Sequence, residues 1–446
     1  MFNSLLKNGD WLKTTVENRG DLGCCEVPVS LFQPAVKAQL EMDLDVLIFG
    51  GGAAGLWLLD QLSRRGDRVL LLEGGRLGQG QTISSQGIIH GGLKYTLQGL
   101  LTPAAREIRE MPDIWRQSLA GRCAPDLSHT RVRAETCHLW RSDSLRSRLG
   151  MLGARVGLHV APLDLAAADR PAVLANCPGQ VARLDEQVIA PVSFLADLAS
   201  QHQQRLLQID GRRVSFTLSS PGVVNRVVVL HPQTGQPYEF RPRQIVLTAG
   251  AGNAALRQLC GLPSEAMQKR PLHMLLLRGR LPILNGHCVD GARTRVTITS
   301  DHDAQGRTVW QVGGQLAEEG VAVDERSLIG QARRELEAVL PGIALSNCEW
   351  ATYRVDRAEG AMPRGGRPDT ALTLVEGNVV TAWPTKLALA PQLARMALER
   401  LTDSEGGAFD LKELTDWPRP LVALPPWEMI AHWHCVDDDR HAREAA

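Results

Sequence analysis

The stretch DVLIFGGGAAGLWLLDQLSRRGDRVLLLEGG, residues 45–75, constrains this chain more than any other. Asp45 to Phe49 is an apolar, β-branched run of strand length. Gly50, Gly52 and Gly55 stand at the G-x-G-x-x-G spacing, and Ala53 to Ser63 has the apolar recurrence of a helix with one buried face. A second strand, Arg68 to Leu72, leads to Glu73. The three glycines serve different ends. Gly50 makes the tight turn, Gly52 lets backbone approach a pyrophosphate, and Gly55 lets helix and strand pack without an intervening Cβ. The pyrophosphate then rests on the unpaired amides of the helix start at Ala53 and Ala54, where the dipole favours negative charge. Glu73 is placed to accept from the ribose hydroxyls of an adenosine half.

A chain of 446 residues exceeds a comfortable single core, so two lobes plus tails are expected. Forty-nine acidic residues balance forty-nine basic ones, which argues against a nucleic-acid footprint. The nine cysteines include no C-x-x-C and one vicinal pair, Cys24 and Cys25; such a set reads as reduced thiols of a cytoplasmic protein, with no metal site. No apolar run has the length of a membrane span. Peripheral contact with the inner face of a membrane, or with a redox partner, stays compatible, and oligomeric state is not legible. Residues 1–42 read as an N-terminal extension, with Met42 just ahead of the first strand.

Further along, GGRLGQGQTISSQGIIHGGLKYTLQG is a loop rich in glycine and hydroxyl residues. Helices are expected over Pro103–Ala120, Val192–Gln203 and Glu325–Leu340. RVSFTL and NRVVVLH describe a β-meander, followed by RQIVLTAGAGNAALRQL, an apolar strand running into a helix. Such a strand belongs in a parallel sheet buried on both faces, so it rejoins the lobe of residues 45–75. Between Lys269 and Val323, PLHMLLLRG, TRVTITSD and TVWQVGGQL alternate with period two, as in a mixed or antiparallel sheet that leaves one face to a ligand.

The opening βαβ unit, SSQGIIHGGLKY, the AGAGN strand end and the late turn PTKLALAP together resemble the FAD-dependent oxidoreductases of the D-amino-acid oxidase superfamily. The likeness is strongest to the glycerol-3-phosphate dehydrogenase and 2-hydroxyglutarate oxidase branch, through HGGLKY and T-K-L. The resemblance implies an α/β fold in which a Rossmann-like FAD lobe (43–100, 181–265 and 355–401) is interrupted by a sheet-based substrate lobe (101–180 and 266–354). A C-terminal tail, 402–446, follows. It also implies that Thr82, Ser84 and Ser85 hold pyrophosphate and ribityl oxygens. Further cofactor contacts are expected at Gly91, Val214, Ala249 and Gly250, and at Thr385 and Leu387.

Dehydrogenating a C–OH group needs a hydride acceptor, which a flavin provides, and a base for the proton. His90 is the candidate base, with a structural histidine as the competing reading. Lys386 sits in the turn that relatives direct at the flavin, where a cation stabilises its anionic reduced form; an exposed helix-start lysine is the alternative. For an anionic substrate the candidates are Lys94, Arg354 and Arg357, the last competing with ion pairing to Asp356 or Glu359. Lys94 stands where the family has arginine, and Arg354 lacks the family's flanking glycine and proline. The expected activity is therefore oxidation of a small anionic hydroxy compound, a 2-hydroxy acid or a polyol phosphate. Oxidation of an amine or amino acid, and a non-catalytic FAD-binding accessory role, are the alternatives.

Overall fold

The computed structural model describes residues 40–91, 103–141, 162–291, 293–368, 370–404, 406 and 409–435. At its centre lies β1 (Leu40–Phe49), followed by α1 (Ala53–Arg65) and β2 (Val69–Glu73). β1 pairs in parallel with β2 on one side and with the strand Pro237–Leu247 on the other. Leu372–Glu376, Val379–Trp383 and Leu206–Gln208 extend this sheet. Val46 to Phe49, Val69 to Leu72 and Ile245 to Leu247 are buried on both faces, which is why they read as unbroken apolar runs.

Register then does the positioning. Phe49 lies opposite both Leu72 and Leu247, so Gly50, Glu73 and Thr248 leave the sheet at the same edge. Ligands of open parallel sheets bind outside these carboxyl ends. α1 packs on one face beside Pro191–Gln201 and Ala390–Leu398, and ends at Gly66 in the left-handed region, φ 91°. Trp57 and Trp115 meet edge to face there, with ring centroids 4.9 Å apart. The meander Val214–Ser220 and Val223–Leu230 belongs to the core of the other face, together with Trp417.

Among the described residues the second sheet has nine strands and is mixed, its one parallel pairing joining Gly286–Asp290 to Cys137–Arg141. Its backbone is the long antiparallel pair Met267–Gly279 and Glu349–Gly360. The helix Glu325–Val339 shares a buried core with it that includes Trp140, Trp310 and Trp350. The α/β expectation is thus met, with Trp140, Trp310 and Trp350 in the core.

Three expected boundaries shift. Val181–Leu184 pairs with Cys137–Arg141 in the second sheet, not the first. The boundary at 355 falls inside Glu349–Gly360, whose ladder with Met267–Gly279 continues to Gly360. β1 begins at Leu40, because Leu40–Leu44 find partners in Tyr238–Pro242. The described part of the segment after 402 is woven in: Trp417 is buried, Val422 bridges to Leu77, and His434–Cys435 pairs with Glu349–Trp350 of the second sheet.

Candidate functional site

A cavity of about 1470 Å³ runs from the edge of the first sheet to the second. That exceeds the roughly 300–1,000 Å³ of an ordinary small-molecule pocket, as a dinucleotide plus a substrate requires.

One end is the glycine turn. Gly50 has φ 105°, and a Cβ there would lie 2.4 Å from the Ala249 Cα. A Cβ on Gly55 would lie 2.0 Å from the Gly50 carbonyl oxygen. α1 starts with no capping side chain and no acid in its first turn; the Ala53 amide donates to the Thr82 hydroxyl oxygen at 3.2 Å. A helix start of this kind is a ready anion site. Glu73 accepts from the Gly51 and Gly75 amides at 2.6 and 2.7 Å, contacts that fix both turns. Burial pushes its pKa up against the pull of those amides.

The loop after Glu73 is nailed down from the far sheet. Gln311 Nε2 donates to the Ser84 carbonyl at 2.8 Å, and the Tyr353 hydroxyl to the same oxygen at 3.2 Å. Gln86 Nε2 donates to the carbonyls of Thr297 and Gln311. The hydroxyls of Ser84, Ser85 and Thr385 are buried without hydrogen-bond partners, and all three residues line the cavity. Buried hydroxyls left unpaired are costly. Together with the uncapped helix start, they fit a polyoxygenated ligand such as FAD. Gly52, Ala53, Ala54, Val214, Ala249, Gly250 and Leu387 line the same cavity. Gly91 does not belong to its wall; its amide donates to Glu186 Oε1 at 2.7 Å.

His90, His287 and Lys386 stand together in the cavity wall, which Arg357 also lines. Behind the two histidines lies Glu186, 3% exposed, with its Oε2 3.6 Å from His90 Nδ1 and 3.8 Å from His287 Nε2. His287 Nδ1 meets the Thr297 hydroxyl at 2.9 Å. Burial pushes the His90 pKa down to about 4, opposed by Glu186 and assisted by Lys386 and His287, so its imidazole is neutral near pH 7. Glu186 is held well below the usual carboxylate range: burial raises its pKa, but the two imidazoles outweigh it. Cys137 is buried beside Glu186, and its thiol is pushed far up. Among the described residues, His90, Glu186 and His287 form the group whose ligand atoms, all within 4.8 Å of one another, resemble a metal-binding set.

The arginines separate. Arg354 does not reach the cavity: its guanidinium donates to the carbonyls of Val321 and Val323 at 3.1 Å each, tying a turn to the sheet. Each of its terminal nitrogens thus donates to main chain, and Arg354 is not among the residues that line the cavity. Arg357 lines the cavity and pairs with Glu318 at 3.2 Å, rather than with Asp356 or Glu359, while its buried Nε has no partner. Glu359 is held by Arg270. Lys94 lies outside the described residues. Sequence reasoning missed Glu186, His287 and Thr297; single polar residues in DEQV, NGHCVD and RVTIT carry no spacing signal.

The family of FAD dependent oxidoreductases designated DAO matches residues 45–391. The chain is 39% identical over 396 residues to the Probable FAD-dependent oxidoreductase PA4991 of Pseudomonas aeruginosa, covering 87% of this chain and 98% of that protein. The crystal structure of that protein matches with a TM-score of 0.73 at 36% identity, over 87% and 98% of the two chains. L-alpha-glycerophosphate oxidase from Mycoplasma pneumoniae, solved with FAD bound, has a TM-score of 0.59 at 16% identity, over 83% and 98%. Glycine oxidase from Geobacillus kaustophilus has 0.56 at 15%, also over 83% and 98%. These last two show shared fold alone. No helix among the described residues is long and apolar enough to cross a membrane.

Proposed function

The chain belongs to the DAO family of FAD-dependent oxidoreductases, and from that premise we propose that it oxidises a small anionic hydroxy compound, a 2-hydroxy acid or a polyol phosphate. The observation that carries this reading is a neutral imidazole, His90, with the cation Lys386 close enough to act on it, in the wall of a cavity that Arg357 also lines.

FAD, when bound, supplies the acceptor for the hydride and its two electrons. The α1 start with Gly50, Gly52 and Thr82 would hold its pyrophosphate, Glu73 its adenosine ribose, and the Ser84, Ser85 and Thr385 hydroxyls its remaining oxygens. Lys386 supplies positive charge at the flavin end. His90 accepts the proton of the substrate hydroxyl as its C–O bond becomes a carbonyl. Arg357, through its unpartnered Nε–H, orients the substrate anion. The lobe with Glu349–Gly360 contributes the substrate side and the lobe with β1 the cofactor side.

One observation favours a second reading. An imidazole with a pKa of about 4 is a weak base for an alcohol, whereas an amine substrate reaches its free-base form without one. Anaerobic mixing of the FAD-loaded protein with 2-hydroxy acids, polyol phosphates and secondary amines separates the two readings. Bleaching of the flavin by hydroxy compounds alone is expected; bleaching by amines alone overturns the proposal.

A further inference from the structure

We infer that Glu186 is a positioning residue that holds His90 as the Nδ1–H tautomer and so turns its basic Nε2 to the cavity. The inference rests on the reading of His90 as the base. The carboxylate has few other possibilities: Oε1 is taken by the Gly91 amide, and Oε2 is buried with no hydrogen-bond partner, facing His90 Nδ1 and His287 Nε2. The main chain fixes it in place. The Ile89 amide donates to the Gln187 carbonyl and the Ile189 amide to the Gly87 carbonyl, so the loop bearing Glu186 and the loop bearing His90 move as one body.

Hydrogen-bond accounting sets the tautomers. A carboxylate only accepts, so an imidazole sharing it must present N–H. A neutral imidazole has one N–H; in His90 it is spent at Nδ1, leaving Nε2 as the acceptor. In His287 the N–H sits at Nε2, and Nδ1 accepts from the Thr297 hydroxyl. The result is a chain, Thr297–His287–Glu186–His90, in which a buried carboxylate orients a general base as in hydrolytic triads. The groups that face His90 are Glu186, His287 and Lys386.

The same three side chains form a two-histidine, one-carboxylate set that suits a divalent transition metal. The relay is favoured because one Glu186 oxygen is already committed to Gly91, and because Glu186 is absent from the cavity wall, so a metal on it would be screened from substrate by both imidazoles.

The test uses FAD-loaded protein labelled with ¹⁵N at histidine, wild type and the variants His90→Ala, Glu186→Gln and Glu186→Asp. The expected result is an Nδ1–H pattern for His90 in the wild type and an Nε2–H pattern in Glu186→Gln. Flavin reduction by the substrate falls about 10²–10⁴-fold in Glu186→Gln, with FAD content unchanged and partial rescue in Glu186→Asp. An Nε2–H pattern in the wild type overturns the inference without any variant. So does a Glu186→Gln enzyme at full rate beside an inactive His90→Ala, which leaves the base reading intact. A fully active His90→Ala sinks the base reading instead, while the ring spectrum still reports on Glu186. One equivalent of transition metal in the wild type, lost in Glu186→Gln, replaces the relay with a metal centre.

Discussion

Gly55 packs so closely on Gly50 that a Cβ at 55 would stand 2.0 Å from the carbonyl oxygen at 50, and Thr248 Oγ1 closes the other side at 2.6 Å. The carbonyl is main chain and cannot swing away. Gly55→Ala should therefore push α1 off β1, costing about 1–3 kcal/mol, and lower the flavin-to-protein absorbance ratio. Gly330→Ala is the control: it lies inside the helix Glu325–Val339 with only the Arg334 side-chain tip, 3.7 Å away, near its Cβ. That change should raise stability by about 0.5–1 kcal/mol, read by thermal melting.

Arg354 and Arg357, three residues apart, should behave oppositely. Arg354→Ala leaves the Val321 and Val323 carbonyls without their donors and should cost about 1–3 kcal/mol of stability, with KM unchanged. Arg357→Ala should raise KM for an anionic substrate about tenfold or more with a smaller effect on melting. Steady-state kinetics and denaturant unfolding on both variants decide this; equal KM values for the two would remove Arg357 from substrate binding.

The pH dependence follows from His90. With its folded pKa pushed down to about 4, His90 is neutral and able to accept a proton at every pH above that value. The reductive rate should be flat from pH 8 to 5 and fall only as pH drops through about 4, not near the ordinary histidine value of roughly 6.5. Stability has the same sign: the unfolded chain protonates this histidine first, so its contribution erodes as pH falls from about 6.5 to about 4. Stopped-flow reduction across pH and the His90→Asn variant check both statements.

Trp115 ties the helix Pro103–Leu119 to the turn after Lys386, donating from Nε1 to the Ala388 carbonyl at 2.9 Å while fully buried. Trp115→Phe keeps most of the ring contact with Trp57 but orphans that carbonyl. A loss of about 1–3 kcal/mol is expected, together with weaker FAD retention, since the turn carries Thr385 and Lys386. Unfolding curves and equilibrium dialysis measure the two effects.

The first lobe was legible because its signals are local: three glycines at fixed spacing, a doubly buried strand, an acid at its end. The return of Pro237–Leu247 to that lobe could also be read, since an unbroken apolar strand has no place in a half-exposed sheet. The histidine–carboxylate cluster could not. Glu186 and His287 are 101 residues apart, and they meet only because Val181–Leu184 and Gly286–Asp290 both pair with Cys137–Arg141. Another long-range ladder, between Met267–Gly279 and Glu349–Gly360, hid the boundary near 355. The different settings of Arg354 and Arg357 were not legible either, because one residue along a strand reverses the face a side chain takes, and sequence likeness does not report which face is inward.

The placement of β1 beside a late-arriving strand also sets a clock for biosynthesis. Its partner Leu247 is made 198 residues after Phe49, and Val379–Trp383, the strand beyond it, later still. At roughly 5–20 residues per second, a nascent chain carries this apolar strand half-paired for roughly 10–40 s. Folding of the nucleotide lobe is therefore a late event in translation, and the emerging N-terminal third is the part that depends most on protection from aggregation.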